Sequence, residues 1–253
     1  MKTERFIAIA MPLYNEADGI AETLTDLDSE FHKAGLRSTF FIQNDCSTDS
    51  SLAEIERLRR LLHGLVLVET NLRNLRHGPT TRRAYQRAIE SGSDVVVQLD
   101  SDGQFDAADV ADMVNLLLKD SGLALLIGSR KHRTDPWYRK LVTRSLQIVL
   151  AIRFGVFSAD PNSPIRVART NALRQGLNTL PEDVLTPNVL LTVYFHRSGH
   201  RVEYVPATHR IRRGTTSIGT MWSGHRLNVL IPRSLIVLCW NAAKQVLLKY
   251  RIQ

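Results

Sequence analysis

The chain has 253 residues, of which 43% are hydrophobic and 23% charged, so it can bury the core of one sizeable globular domain. Its net charge is +8, and only five of its 25 acidic side chains lie beyond residue 129. This asymmetry predicts an anionic partner for the second half of the chain. Two cysteines, Cys46 and Cys239, exclude a disulfide framework and give no metal-ligand spacing, which favours a reduced, cytoplasmic setting.

The sequence contains no segment typical of secretion or membrane crossing. The first residues lead directly into a short apolar strand, so we expect no signal peptide. The run from Leu235 to Ala243 is shorter than the ~20 apolar residues that a spanning helix needs, and basic residues flank it.

Strands and helices alternate along the first 130 residues. Apolar and β-branched runs predict strands at 6–11, 39–42, 65–69, 95–99 and 123–127, and helical spacing predicts helices at 20–34, 50–62, 80–90 and 107–118. This alternation indicates an α/β fold with a mainly parallel sheet flanked by helices. Further along we expect a long helix at 137–157, a strand at 201–206 and an amphipathic helical tail.

The most informative segment is Asp100-Ser101-Asp102-Gly103-Gln104, which follows the apolar strand 95–99. Two carboxylates one residue apart at the carboxyl end of a buried strand suit a divalent cation shared with a diphosphate. A solvated turn of the same residue types is the alternative. Other polar clusters follow the first three strands: Pro12, Tyr14 and Glu16; Asp45; and Asn74, His77 and Gly78.

Four short motifs in this order resemble those of the inverting family-2 glycosyltransferases of GT-A fold, particularly the polyprenyl-phosphate (dolichyl-phosphate mannose synthase-like) branch. The motifs are Met11-Pro12-Leu13-Tyr14-Asn15-Glu16, Asn44-Asp45-Cys46-Ser47-Thr48-Asp49, Asp100 to Gln104, and Gly128-Ser129-Arg130. The resemblance is close through Arg130 and looser to Ser217.

The resemblance implies a metal-dependent transfer of a sugar from a GDP- or UDP-linked donor to a polyprenyl phosphate. The residues it assigns to the nucleotide sugar are Pro12, Tyr14, Glu16, Asp45, His77, Gly78 and Asp100. Those it assigns to Mg²⁺ or Mn²⁺ are Asp100, Asp102 and Gln104, and those it assigns to catalysis are Asp102, Arg130 and Arg212. Helix capping by Glu16, a local turn closed by Asp45 and a merely solvated His77 are the structural alternatives.

The acceptor side is expected among the basic residues, because arginine recognises phosphate in a planar, bidentate way. The resemblance assigns the acceptor phosphate to Arg130, Arg139, Thr143, Arg212 and Ser217, and Arg166, Arg210 and Arg213 are further candidates. A phosphate acceptor is already anionic, whereas a hydroxyl acceptor would need a carboxylate base.

The chain departs from the family pattern at several positions. Asn44 stands where Asp is usual, Cys46 where Gly is usual, and Ile218 where a Lys is expected. Ser163-Pro164-Ile165-Arg166 replaces Ser-Gly-Phe-Arg. These differences weaken an assignment to mannose transfer more than the assignment of fold and reaction type.

We predict a catalytic domain at 1–217, with a nucleotide-sugar and metal half at 1–130 and an acceptor half at 131–217. The predicted amphipathic tail spans 218–253. Apolar residues edged by arginines, on the long helix (Val142, Leu146, Val149, Leu150 and Ile152) and in the tail (Trp222 and Trp240), suit peripheral attachment to the cytoplasmic face of a membrane. Packing of these residues on the sheet, or anchoring by a partner subunit, are the alternatives.

Three other functions compete with transfer to a lipid phosphate. One is transfer to a hydroxyl of a polysaccharide or glycolipid, and another is a catalytically silent sugar-nucleotide binder, suggested by Asn44 and Cys46. A nucleic-acid-binding module is disfavoured, because the basic residues lack interleaved aromatics and the acidic strand ends would repel phosphate.

Overall fold

The computed structural model describes residues 6–131 and 137–210, and the side chains of these residues except 130–142. Within them, seven strands form one sheet in the order β3-β2-β1-β4-β6-β5-β7. The strands are β1 (Phe6–Leu13), β2 (Arg37–Asn44), β3 (Leu65–Thr70), β4 (Val95–Gln98), β5 (Leu123–Lys131), β6 (Arg166–Arg169) and β7 (Arg201–Thr208). β6 runs antiparallel to β4 and β5, and the other pairings are parallel. The predicted α/β fold is confirmed.

Helices cover both faces of the sheet. They are α1 (Ala17–Lys33), α2 (Ser51–Leu58), α3 (His77–Glu90), α4 (Ala107–Lys119), α5 (Trp137–Phe154), α6 (Thr170–Asn178) and α7 (Pro187–Arg197). Side chains alternate between the faces of a strand. Ile7 and Ile9 therefore pack in the core under α1 and α4, while Ala8 and Ala10 pack in the core under α3, α6 and α7.

The structure corrects several predicted boundaries. The helix predicted at 50–62 ends at Leu58, that predicted at 80–90 begins at His77, and that predicted at 137–157 ends at Phe154. Strand β6 and helices α6 and α7 were not predicted. β6 has only four residues, two of them arginines, and α7 is buried nearly all round, so neither shows the usual periodicity.

Helix α5 presents only part of the predicted apolar face to solvent: Ile152 is exposed as predicted, and the side chain of Val142 lies outside the described residues. Leu150 is buried in the core, and Leu146 and Val149 pack against it, so these three residues do not form a membrane-facing surface. Ile148 and Ile152 on the other side are 53% and 83% exposed, and Phe157 just beyond the helix is 81% exposed. Within the described residues, no helix combines the length and apolar character needed to cross a bilayer.

Candidate active site at the carboxyl edge of the sheet

The polar clusters of the N-terminal half meet at one edge of the sheet, as predicted. β1 and β2 pair in parallel up to Leu13 and Asn44, and the Asp45 N–H donates to the Leu13 carbonyl at 2.8 Å. β4 lies on the other side of β1, and Asp100 follows its end. The loops after β1, β2 and β4 therefore leave the sheet side by side, where open α/β sheets place their ligands.

Asp45 organises the loop after β3. It is buried, and its carboxylate accepts hydrogen bonds from Asn71 Nδ2 at 2.8 Å, from the Leu75 N–H at 2.7 Å and from the Arg76 N–H at 2.8 Å. These donors lie about thirty residues away in sequence, so Asp45 does not close a local turn. Asp45 instead holds residues 71–76 beside the end of β2.

The loops after β1 and β2 are joined to each other. The Asn15 N–H donates to Ser47 Oγ at 3.0 Å, and the Glu16 N–H donates to Ser51 Oγ at 2.8 Å. Glu16 occupies the N-cap position of α1, but its side chain makes no capping hydrogen bond there. Tyr14 is half-buried and Pro12 is buried in β1.

Asp49 fixes the start of α1. Its carboxylate accepts hydrogen bonds from Ser51 Oγ at 2.5 Å and from the Ala17 N–H at 3.0 Å. Partial burial raises the pKa of Asp49, but the hydrogen bonds from Ser51 and Ala17 outweigh it, and the pKa lies below its ordinary value of 3.8. The carboxylate therefore stays ionised at neutral pH.

Asn44 and Cys46, which depart from the family pattern in the second motif, each have a defined local environment. Asn44 is buried, donates to Thr70 Oγ1 at 3.1 Å and accepts from the Ser47 N–H at 3.1 Å. Cys46 has a positive φ of 60°, a conformation in which glycine is free of strain and other residues are not. The positive φ explains why the family pattern usually has glycine at the position that Cys46 occupies.

Asp100, Asp102 and Gln104 supply oxygen donors at the end of β4. All three are half-buried, and Asp100 Oδ1 lies 3.9 Å from His77 Nε2. Carboxylate and amide oxygens are hard donors that suit Mg²⁺ or Mn²⁺, so the donor set fits such a cation. In the part of the chain that is described, no group of three His, Cys, Asp or Glu residues converges. Asp100, Asp102 and Gln104 could therefore supply part of the coordination of such a cation, with phosphate or water as the other ligands.

His77 and Gly78 form the first turn of α3 beside Asp100. The His77 side chain is 59% exposed at the mouth of the site. Gly78 is buried, and a Cβ atom there would come within 2.4 Å of the carbonyl oxygens of Val184 and Leu185. Gly78 thus lets α3 approach the 184–185 backbone, which places His77 next to Asp100.

The structure describes only part of the predicted acceptor side. Thr143 is half-buried on α5, and the side chains of Arg130 and Arg139, together with Arg212, Arg213 and Ser217, lie outside the described residues. Arg166 is 2% exposed and bonds to the Ser163 and Pro161 carbonyls, which contradicts its expected role in acceptor binding. Arg210 pairs with Asp106 at 2.5 Å, so it fastens the end of β7 to α4.

The sequence predicted no role for one residue of the site, Gln98. Gln98 is fully buried in β4 and bonds to Asp100, while Tyr85 and Asn188 complete a polar cluster behind it. The available signal was a single amide in an otherwise apolar strand, Val95 to Leu99.

A mixed sheet in this strand order, with paired aspartates where β4 ends, defines the GT-A class of glycosyltransferase folds. Glycosyl transferase family 2 matches residues 8–179, more than half of the sequence, and the chain belongs to that family.

Curated relatives include two lipid-phosphate glycosyltransferases. The chain is 26% identical over 226 residues to undecaprenyl-phosphate 4-deoxy-4-formamido-L-arabinose transferase of Edwardsiella ictaluri, a match that covers 87% of this chain and 65% of that relative. It is 22% identical over 187 residues to UDP-N-acetylglucosamine–dolichyl-phosphate N-acetylglucosaminyltransferase of Methanococcus voltae, covering 68% of this chain and 72% of that protein. The chain thus spans less than two thirds of the Edwardsiella relative.

Solved structures share the fold. The complex of glucosyl-3-phosphoglycerate synthase from Mycobacterium tuberculosis with Mn²⁺, uridine diphosphate and glucosyl-3-phosphoglycerate superposes with a TM-score of 0.65 at 20% identity. The match covers 96% of this chain and 79% of that one. The likeness extends over nearly the whole chain and concerns the fold alone.

Proposed function

We propose that this protein transfers a sugar from a nucleotide sugar to a polyprenyl phosphate, with a divalent cation at Asp100 and Asp102. The observation that carries the proposal is the convergence of the Asp45 loop, the start of α3 and the Asp100–Gln104 segment at the carboxyl edge of the sheet. The Edwardsiella and Methanococcus relatives, whose names state an undecaprenyl or dolichyl phosphate, support this acceptor class.

In the proposed reaction, a phosphate oxygen of the acceptor attacks the anomeric carbon of the donor sugar. The bond from that carbon to the diphosphate oxygen breaks, its electron pair stays on the leaving nucleoside diphosphate, and the configuration inverts. When bound, a Mg²⁺ or Mn²⁺ ion would stabilise the negative charge on the leaving group. Asp100, Asp102 and Gln104 would hold that ion.

The remaining roles are proposed from the family resemblance. Pro12, Tyr14, Glu16 and Asp45 would hold the base and ribose of the nucleotide sugar, and His77 and Gly78 would lie towards its diphosphate. Arg130, Arg139, Thr143, Arg212 and Ser217 remain the proposed contacts of the acceptor phosphate. No strong base is needed, because the acceptor is already an anion.

A donor panel tests this function. Purified protein is incubated with GDP- and UDP-sugars, Mn²⁺ and polyprenyl phosphate, and the sugar in the lipid phase is measured. We expect one donor to label the lipid, and Asp102→Asn to abolish the labelling. Asp112→Asn, the same charge change on the exposed face of α4, should label like the wild type. No lipid-phase product with any donor would contradict the proposal.

We further propose peripheral binding to the cytoplasmic face of a membrane through α5. Exposed Ile148, Ile152 and Phe157 lie beside exposed Arg144 and Arg153, and apolar side chains edged by arginine suit an anionic lipid surface.

Sedimentation with phosphatidylglycerol vesicles tests this surface. Ile152→Asp should reduce the bound fraction, whereas Leu116→Asp, at a 40% exposed position on α4, should not. Equal sedimentation of both variants and the wild type would contradict binding through α5, and the tail 218–253 or a membrane-anchoring subunit would then be tested in turn.

A further inference from the structure

Gln98 is a buried polar residue with no role in the reaction described so far. It is the only polar side chain in the run from Val95 to Leu99, and it is fully buried. It lies directly opposite Arg166 in the antiparallel pairing of β4 with β6. Glutamine is rarely placed in an apolar strand without partners, because an unsatisfied buried amide is costly.

The partners of Gln98 form a chain of hydrogen bonds that ends at Asp100. The Tyr85 hydroxyl donates to Asn188 Oδ1 at 2.9 Å, and Asn188 Nδ2 donates to Gln98 Oε1 at 2.9 Å. Gln98 Nε2 then donates to Asp100 Oδ1 at 3.3 Å. Every donor in the chain therefore points towards the Asp100 carboxylate.

The start of this chain is anchored in the core. Tyr85 is 1% exposed, and burial raises the pKa of its hydroxyl, which therefore stays protonated and keeps donating. Asn188 Nδ2 also lies 3.3 Å from the Ser163 carbonyl, which accepts from Arg166 Nε at 3.0 Å. Arg166 in turn donates to Thr192 Oγ1 at 2.8 Å, one helical turn beyond Asn188 on α7. The amide of Asn188 is thus held by partners in α3, in β4 and in the loop before β6.

We propose that Gln98, oriented by Asn188, is a positioning residue that holds the Asp100 carboxylate for the divalent cation and diphosphate. This inference rests on the proposed function, which supplies the cation. The side chain at position 98 must donate to Asp100 and accept from Asn188 at the same time, which an amide does and a carboxylate or thioether does not. The described contacts of Asp100, with Gln98 Nε2 at 3.3 Å and His77 Nε2 at 3.9 Å, both involve Oδ1.

Direct measurement of metal binding tests the inference without relying on turnover. Free Mn²⁺ is counted by electron paramagnetic resonance in the presence of the full-length protein and either UDP or GDP. Partners that orient a metal ligand are typically worth about 10- to 100-fold in metal affinity. We therefore expect Gln98→Met to weaken Mn²⁺ binding by about tenfold or more.

Two further variants separate positioning from general damage to the core. Tyr85→Phe removes the buried hydrogen bond to Asn188 and a longer contact, 3.5 Å, with Gln98 Oε1, but leaves Gln98 bonded to both Asn188 and Asp100, so Mn²⁺ affinity should stay within about threefold of the wild type. Asn188→Ala keeps the contact of Gln98 with Asp100 but removes the group that orients it, and should give an intermediate loss.

The outcomes distinguish this inference from the function on which it rests. If the wild type binds no Mn²⁺ with either nucleotide, the proposed function fails. If the wild type binds Mn²⁺ and Gln98→Met binds it equally well, the positioning role is overturned while the proposed function stands. If Gln98→Met does not fold, unchanged affinity in Asn188→Ala overturns the positioning role.

Discussion

Replacing Asp45 by Asn tests whether this residue supports the site as well as lining it. The carboxylate accepts two hydrogen bonds on Oδ1, from Asn71 and Leu75, and one on Oδ2, from Arg76. Asparagine keeps one acceptor oxygen and turns its NH₂ group towards a backbone N–H. One hydrogen bond is therefore lost, and the remaining hydrogen bonds are made to an uncharged amide instead of a carboxylate. Bonds to a buried charged group contribute about 1.5–3 kcal/mol each. Because Arg76 is exposed and water can replace part of the loss, we expect a destabilisation of about 2–4 kcal/mol.

Urea unfolding followed by circular dichroism measures this change, with the slope against urea concentration used to check that the unfolded state is unaltered. Asp112→Asn removes the same charge from an exposed position and should change the unfolding free energy by less than about 0.5 kcal/mol. If Asp45→Asn were as stable as this control while nucleotide binding fell, Asp45 would be a nucleotide contact alone, and its role in holding residues 71–76 would be refuted.

Substitutions at three other positions probe the same edge of the sheet. Gly78→Ala should cost at least about 2 kcal/mol of unfolding free energy, because its Cβ would meet two carbonyl oxygens at 2.4 Å, whereas Gly122→Ala, with its nearest atom at 3.5 Å, should be tolerated in the same urea assay. Cys46→Gly should change stability by less than about 1 kcal/mol and Cys46→Val should lower it by more, because a β-branched residue tolerates φ of 60° poorly; equal melting temperatures would contradict this. Because the pKa of Asp49 is lower in the folded state, its ionised carboxylate stabilises the fold above pH 3.8. This stabilisation is lost as the pH falls through the folded-state pKa. The stability difference between wild type and Asp49→Asn should therefore be present at pH 7 and vanish in strong acid, and a difference that persists there would contradict the assignment.

The sequence predicted most of the strands and the polar residues at their ends, because both depend on the local pattern of apolar and polar residues. Apolar runs gave six of the strands, and the polar residues after the first, second and fourth strands meet where a parallel sheet brings strand ends together. The position of Asp100 at this edge of the sheet follows from this rule.

What the sequence did not predict depends on contacts distant in the chain. Gln98 and Arg166 belong to residue types that are mostly exposed, and their burial depends on partners contributed by α3, α7 and the 161–163 loop. On α5, Leu150 and Ile152 are equally apolar, and only the packing of α5 on the core shows which of them faces solvent.

The most direct test of the proposed function compares two acceptors that differ only in the reacting group. With the donor identified in the panel and Mn²⁺ present, polyprenyl phosphate and the corresponding polyprenol are supplied separately, and the lipid product is analysed by mass spectrometry and by NMR of the anomeric centre. We predict a phosphate-linked sugar of inverted configuration from polyprenyl phosphate, no product from polyprenol, and loss of product when EDTA replaces Mn²⁺. Glycosylation of the polyprenol at a comparable rate, or retention of configuration, would contradict the proposed transfer to a lipid phosphate.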